Sequence, residues 1–305
     1  MIRHIKNKLR SSLFKLFDLA GLEKISIMNG LIRSDQILKK DFLEDITEAE
    51  FSIFSQWGED GIISWLISTI NPKSKKFIEF GVEDFRESNC RYLIQTRNWS
   101  GLVIDGSQEN IQSIRSQDIS WRQDLKSHAE FINKDNINEI IHKNDFNGDI
   151  GLLSTDIDGV DYYVLKEIDN NADIIVVEYN DLFSGRAVSV PYDSNFQRHN
   201  AHYSGTYWGA SLEAFIYLLE GKDYIFIGTN SIGTNAFFIK KNHEMVVTSK
   251  LKHIKKWPCK IRDVRDKNGD LLFQDYHQSW HLIKDMPLVD VTSNEVLKVE
   301  DLFKK

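Results

Sequence analysis

The sequence predicts an α/β fold built on a mostly parallel seven-stranded sheet that ends in an antiparallel hairpin. Three observations predict it. Apolar runs at 77–80, 101–104, 149–155 and 174–177 alternate with stretches of helical periodicity, as expected of βα units laid side by side. The first run stops at Gly81 and the second ends in Asp105-Gly106-Ser107, giving strand, glycine turn, helix, strand and acid in succession. The last two strands, 224–228 and 235–239, are joined by six residues, a connection too short for a parallel crossover.

Whole-chain properties narrow the classes. With 305 residues, 41% hydrophobic and 27% charged, the chain is globular in composition and long enough for one domain of about 230 to 250 residues plus extensions. A formal charge of −7 argues against a general nucleic-acid binder, whose backbone contacts need a basic face. Cys90 and Cys259 lie far apart and form no metal or redox motif. No apolar run reaches the length of about 20 that spans a bilayer. The N-terminus lacks the continuous apolar core of a signal peptide, so the expected location is the cytoplasm.

Three regions follow along the chain. Residues 1–50 open with Ile2, Ile5, Leu9, Leu13, Leu16, Phe17 and Ala20 at helical spacing, with basic residues mostly off that stripe. Such a basic amphipathic helix can lie on the inner face of an anionic membrane through residues 1–20, or pack on the protein body or a second copy in a homo-oligomer. Residues 25–50 read as a polar linker with short helices. Residues 51–242 carry the α/β domain. Residues 243–305 form an extension in which Asn268-Gly269 signals a hairpin between 259–261 and 271–273.

Within the domain, Ser55-Gln56-Trp57-Gly58-Glu59-Asp60 precedes a helix at 62–70 that Asn71-Pro72 stops. The cluster either caps that helix or closes over a ligand. Helices are expected at 89–97, 109–116, 136–142, 162–168 and 210–219. The third strand is read at 119–121, which places Gln123 and Asp124 where such folds read an adenine ring. The fifth strand ends in Glu178-Tyr179-Asn180. Residues 181–209 form a long loop rich in aromatic side chains, and loops of that length in compact domains are commonly functional.

The turn after the first strand reads Glu79-Phe80-Gly81-Val82-Glu83-Asp84. One glycine and three acids repel a diphosphate and suit a ligand with a cationic end, such as S-adenosylmethionine with its ammonium and sulfonium. Asp105 follows Gly81 by 24 positions, close to the spacing of about 20 for an acid that accepts from ribose hydroxyls. A βα turn without a ligand is the alternative.

The segments SQWGEDGI, FIEFGVEDFRESN, NWSGLVIDGS, LLSTDIDGVDYYV, VVEYN and YWGASLEAF together resemble the FkbM-like class I S-adenosylmethionine-dependent methyltransferases, in particular a bacterial branch often encoded among surface-polysaccharide genes. The resemblance runs from about Ser55 to Lys240. It implies that Glu79, Gly81 and Asp84 line the methionine end of the cofactor and that Asp105 holds the ribose. Gln56, Gly106, Ser107 and Asp124 complete the candidate cofactor-side set. The chain departs from the family pattern in reducing the glycine-rich loop to Gly81, with Val82-Glu83 following.

The fourth strand ends in Asp156-Ile157-Asp158-Gly159-Val160-Asp161. Adjacent strand ends would bring Asp156, Asp158, Glu178 and Asn180 together, hard oxygen ligands for Mg²⁺ or Ca²⁺. The twelfth-position glutamate of an EF-hand is absent. The arrangement resembles the catechol-type O-methyltransferases, in which acids after strand four and an acid-amide pair after strand five hold Mg²⁺; the candidate metal ligands are Asp156, Glu178 and Asn180. Two other readings stand beside it: Asp156 or Asp158 as a metal-free base, or as caps of the following helix. His202, next to YWGASLEAF, is a further candidate base, and His199 lies nearby. The expected function is O-methyl transfer to a sugar hydroxyl of a surface polysaccharide or lipid-linked precursor. The alternatives are a nucleotide-sugar or hydroxylase-like enzyme on the same fold, and a non-catalytic binding subunit.

Overall fold

The computed structural model describes residues 21–304. The expected basic helix over residues 1–20, with its membrane and oligomer readings, lies outside them. The central sheet has seven strands: β1 (Lys76–Phe80), β2 (Ser100–Asp105), β3 (Leu125–Ala129), β4 (Asp149–Thr155), β5 (Asn171–Glu178) and, separated in sequence by the two-residue β6 (Val188–Ser189), β7 (Tyr224–Thr229) and β8 (Asn235–Lys240). Their spatial order is β3-β2-β1-β4-β5-β8-β7. The first five are mutually parallel, and β8 inserts antiparallel between β5 and β7. This is the expected mostly parallel, Rossmann-like seven-stranded sheet ending in an antiparallel hairpin.

Both faces are covered, so the strands alternate between two cores rather than between core and water. Ile78, Phe80, Leu102, Ile104, Leu153, Ile175 and Phe238 enter one cluster, whereas Phe77, Val103, Leu152, Ile174, Val176 and Phe237 enter the other. That double burial explains why these strands read as continuous apolar runs.

Three expectations about the elements change. The third strand is Leu125–Ala129, and residues 119–122 form a short helix instead. Strand β3 is an edge strand whose residues are all half-buried, so it carries no apolar run, whereas the Ile-Ser-Trp alternation of the helix imitates one. Residues 25–50 are no polar linker. A 17-residue helix, α1 (Leu22–Leu38), buries Gly30, Ser34 and Ile37, and Leu43, Ile46 and Ala49 join the second core. At Asn268-Gly269 the chain turns, but the pairing there is a single bridge between Arg265 and Leu271. The extended pairing lies later, between β9 (Pro287–Asp290) and β10 (Val296–Lys298).

The segment from 243 to 304 packs into the body at several places. Leu43 bridges Leu251, and β9 pairs with β6 of the long loop. A third core unites Leu182, Phe183, Val188 and Tyr207 of that loop with Cys259, Val264, Tyr276, Ile283 and Leu288 of the extension. The loop is therefore held from below by the C-terminal region. Among the described residues, no helix is long and apolar enough to cross a membrane.

Candidate functional site

The carboxyl ends of β1, β2, β4 and β5 open into one cavity of about 690 Å³, the place where parallel α/β sheets hold ligands. Its two ends differ in chemistry.

The first end is built on β1 and β2. Gly81 takes φ +69°, and a Cβ there would overlap the backbone carbonyl of Asp156. The glycine is required because the turn after β1 presses against the turn after β4. Glu83, in the left-handed region at φ +46°, donates its N–H to Asp105 Oδ2 at 2.9 Å. Asp105 Oδ1 accepts from Ser107 N at 2.8 Å and from Asn110 Nδ2 at 3.0 Å. A carboxylate offers about four acceptor positions, so after three bonds Asp105 keeps room for about one ribose hydroxyl. Gly106 and Ser107 line the same wall, and Ser107 also caps the next helix, Gln108–Arg115, through Asn110 N.

Glu79 lines the cavity but is committed to the fold. Its carboxylate accepts from Ser88 Oγ at 2.6 Å, Asn89 N at 2.8 Å and Cys90 N at 3.2 Å, gathering the chain at the start of helix Arg91–Arg97. Burial pushes its pKa up, against the pull of those donors. The Ser55–Asp60 cluster divides its work. Asp60 Oδ2 takes the backbone N–H groups of Ile53, Phe54 and Ser55, and Ser55 Oγ caps Asp60 N. Burial raises the Asp60 pKa to about 7. Glu59 is fully buried and accepts from Asn230 and Asn235 of the terminal hairpin. Gln56 reaches the cavity wall.

Two cofactor-side candidates are misplaced. Asp124 precedes β3 and therefore lies at the amino end of the sheet, where it accepts from Ser100 Oγ and its carbonyl from Gly101 N. The residues that follow β3 into the cavity are Phe131 and Ile132, and Phe131 packs against Gly106. Placing the third strand correctly was the signal that would have found them. Asp84 does not line the cavity; its carboxylate turns to Arg86, accepting from the backbone N at 3.2 Å and pairing with Nε at 3.4 Å.

The second end is acidic. Asp156, Asp158 and Glu178 each bring a carboxylate oxygen to one spot, all within 4.8 Å of one another. Asp156 and Glu178 face each other across β4 and β5. Burial first, then Asp158 and Asp161, raise the Asp156 pKa to about 8. Burial and the Asp156 charge push Glu178 well above the carboxylate range. Such a pair holds a shared proton. Glu178 Oε2 is sealed from solvent and has no hydrogen-bond partner. The following helix, Asp161–Glu167, has no side-chain cap; Asp161 instead braces the turn before it, accepting from Ile157 N and Gly159 N, and burial lifts its pKa to about 6. Asp158 instead pairs with Arg198 Nη1 at 2.7 Å.

Asn180 and His202 are not part of this cluster. Asn180 is fully buried; Nδ2 donates to the carbonyls of Thr206 and Trp208, and Oδ1 accepts from Leu182 N and Tyr276 Oη. Its amide oxygen is thus spent on holding the loop and cannot ligate a metal. His202 does not line the cavity; Nδ1 pairs with Ser204 Oγ at 2.8 Å, and desolvation lowers its pKa. His199 is exposed on the short helix Arg198–Ala201. The long loop contributes Phe196, Gln197 and Arg198 to the wall, with Phe196 pressed against Gly159. No spacing rule could place Arg198 beside Asp158, 40 positions away.

The remaining donors, three carboxylates with one orphan oxygen, fit a hard divalent cation that takes oxygen ligands. The carboxylate-rich wall around Asp105 and Glu79 fits a cationic ligand carrying a ribose.

No protein-family model matches the chain, and no curated protein matches it in sequence. Solved structures do resemble it. The N-terminal domain of EvdMO1 with S-adenosylhomocysteine bound superposes with a TM-score of 0.40 at 9% identity, covering 60% of this chain and 80% of that one. The plantazolicin methyltransferase BamL, in complex with a triazolic desmethylPZN analog and S-adenosylhomocysteine, gives 0.39 at 14% identity, covering 70% and 90%. An S-adenosylmethionine-dependent methyltransferase from Clostridium acetobutylicum gives 0.38 at 11%, covering 60% and 90%. Likeness at this level is too coarse to place a substrate or a residue, and the site's chemistry must come from the side chains described above.

Proposed function

We propose that the chain is an S-adenosylmethionine-dependent methyltransferase acting on a hydroxyl, with a divalent cation such as Mg²⁺ at the acceptor end. The observation that carries this reading is the one cavity joining a ribose-competent acid, Asp105, to the half-buried carboxyl pair Asp156–Glu178. S-adenosylmethionine would supply an electrophilic methyl on a sulfonium, and a cation held by Asp156, Asp158 and Glu178 would lower the pKa of a bound hydroxyl.

The chain's own residues do the rest. Asp105 orients the ribose with the acceptor capacity left to it. The Gly81 turn, pressed on Asp156, fixes the distance between the two ends of the cavity. In its deprotonated form Asp156, whose pKa burial raises to about 8, is a stronger base than an ordinary carboxylate and is suited to take the hydroxyl proton. The pairing of Asp158 with Arg198 favours a second reading, in which Asp156 acts as this base without a metal. A sugar of a surface polysaccharide or lipid-linked glycan precursor is the acceptor implied by the sequence resemblance to the FkbM-like branch.

Calorimetry with S-adenosylmethionine and S-adenosylhomocysteine, each with and without Mg²⁺, tests the proposal. Saturable binding of both is expected. Absence of binding, together with tight binding of NAD or a sugar nucleotide, would replace it with the nucleotide-sugar reading.

A further inference from the structure

We propose that Arg198 and a divalent cation compete for Asp158, so that metal binding at the acceptor end is gated by a residue of the long loop that the C-terminal extension holds in place. This inference rests on the metal reading above. Three carboxylates gathered within 4.8 Å repel one another, and a counter-charge relieves that repulsion. Among the described residues that line the cavity, Arg198 is the only Lys, Arg or His side chain, and it meets the cluster at Asp158, at 2.7 Å. Asp158 is therefore both a candidate ligand and the anchor of an internal cation. The two roles draw on one carboxylate and oppose each other, because the guanidinium on Oδ1 repels a cation held beside it.

The geometry makes the exchange feasible. Arg198 has three further supports: Nε donates to the Gly205 carbonyl at 2.7 Å, Nη2 faces Asp263 Oδ2 at 3.3 Å, and the guanidinium lies over the Trp208 ring at 4.7 Å. When Asp158 turns to a cation, Arg198 keeps these partners, and the change breaks one ion pair rather than stranding a buried charge. Glu178 Oε2, buried and unpartnered, supplies an oxygen ready for the incoming ion. Asp263 belongs to the extension, so the charge it shares with Arg198 sets how firmly Arg198 holds Asp158.

Two substitutions must then act in opposite directions. Arg198→Gln removes the competing charge and should tighten Mn²⁺ binding by about tenfold or more. Asp263→Asn removes charge from the far side of Arg198, strengthens its grip on Asp158, and should weaken Mn²⁺ binding by about two- to threefold. Arg198→Lys keeps the charge and should stay within about threefold of the parent. The experiment is titration of the full metal-free chain with MnCl₂ alone, followed calorimetrically, with thermal unfolding as the fold control. Opposite shifts for Arg198→Gln and Asp263→Asn support the proposal, because a merely structural role for the ion pair would move both the same way. Unchanged or weaker binding by folded Arg198→Gln overturns it. So does a common direction for the two variants, or absence of Mn²⁺ binding by the parent and Arg198→Gln alike. The cofactor titration is independent, so failure of the methyltransferase reading and failure of this gate are told apart.

Discussion

The α-carbon of Gly81 faces the backbone carbonyl of Asp156 so closely that no side chain fits between them. This one contact ties the turn that opens the cofactor end to the turn that carries the acceptor acids. Gly81→Ala must therefore separate β1 from β4 at their carboxyl ends and also strain a residue at φ +69°. A loss of about 3 kcal/mol or more in urea unfolding is expected, with ligand binding abolished. Gly106 is the control. A Cβ there would meet only the edge of the Phe131 ring, at 2.9 Å, and that half-exposed ring can turn. Gly106→Ala should cost less than about 1 kcal/mol while still weakening ligand binding at that wall.

Asp105 tests the cofactor end more directly. Its three donors, Glu83 N, Ser107 N and Asn110 Nδ2, leave no place for an amide NH₂. Asp105→Asn sets a donor against donors and discards the ribose acceptor. Affinity for S-adenosylhomocysteine should fall by about tenfold or more, with about 1 to 2 kcal/mol lost in stability. Equal affinity in the variant and the parent would show that Asp105 only shapes the loop.

The acceptor pair carries a pH signature. Asp156 rises from 3.8 unfolded to about 8 folded, and Glu178 rises with it. The folded state then binds protons that the unfolded chain has released, so this stabilisation is complete below about pH 4 and is lost as pH climbs through about 8. Between about pH 6 and 9 the unfolding temperature of the parent should fall. Asp156→Asn, neutral at every pH, should flatten that decline and match or exceed the parent at pH 8. Added Mg²⁺ should lift the parent at pH 8, because it binds the deprotonated carboxylates, and leave the variant nearly unmoved. A parent curve as flat as the variant's would rule out the proton-sharing pair.

How much of this was legible depended on what each residue's partner was. Strands β1, β2, β4 and β5 are buried on both faces, so their identity is local and the apolar runs announce them. Strand β3 sits at the sheet edge with no apolar run, and its misplacement carried Asp124 into the cofactor set when Phe131 and Ile132 occupy that position. Asp156 and Glu178 were visible because neighbouring parallel strands bring their ends together by topology alone. Asn180 follows the same rule of position and yet is excluded, because Tyr276, 96 residues on, claims its oxygen. The sequence shows a glycine after β1, but not that the neighbour demanding it is the protein's own backbone at Asp156. Contacts made by loops across long separations, Arg198 with Asp158 above all, leave no period or spacing to read.

The extension's hold on the domain turns on Asp181, the residue after Asn180. Its buried carboxylate accepts from Cys259 N at 2.9 Å and Ser184 Oγ at 2.7 Å, and pairs with Lys256 at 2.9 Å and His277 at 3.1 Å. These donors outweigh desolvation and hold its pKa far below the carboxylate range, while Asp181 raises that of His277. Asp181→Asn leaves Lys256 without its buried counter-charge and should cost about 3 kcal/mol at neutral pH. Trypsin should then cut faster after Lys256, which the carboxylate keeps docked. The His277 share of this stabilisation is complete below the unfolded histidine pKa and is lost as pH rises through the higher folded value. The gap between parent and variant should therefore narrow toward pH 9 without closing, since the variant lacks the Lys256 pair throughout. A gap independent of pH would mean that His277 is held by packing and not by its charge.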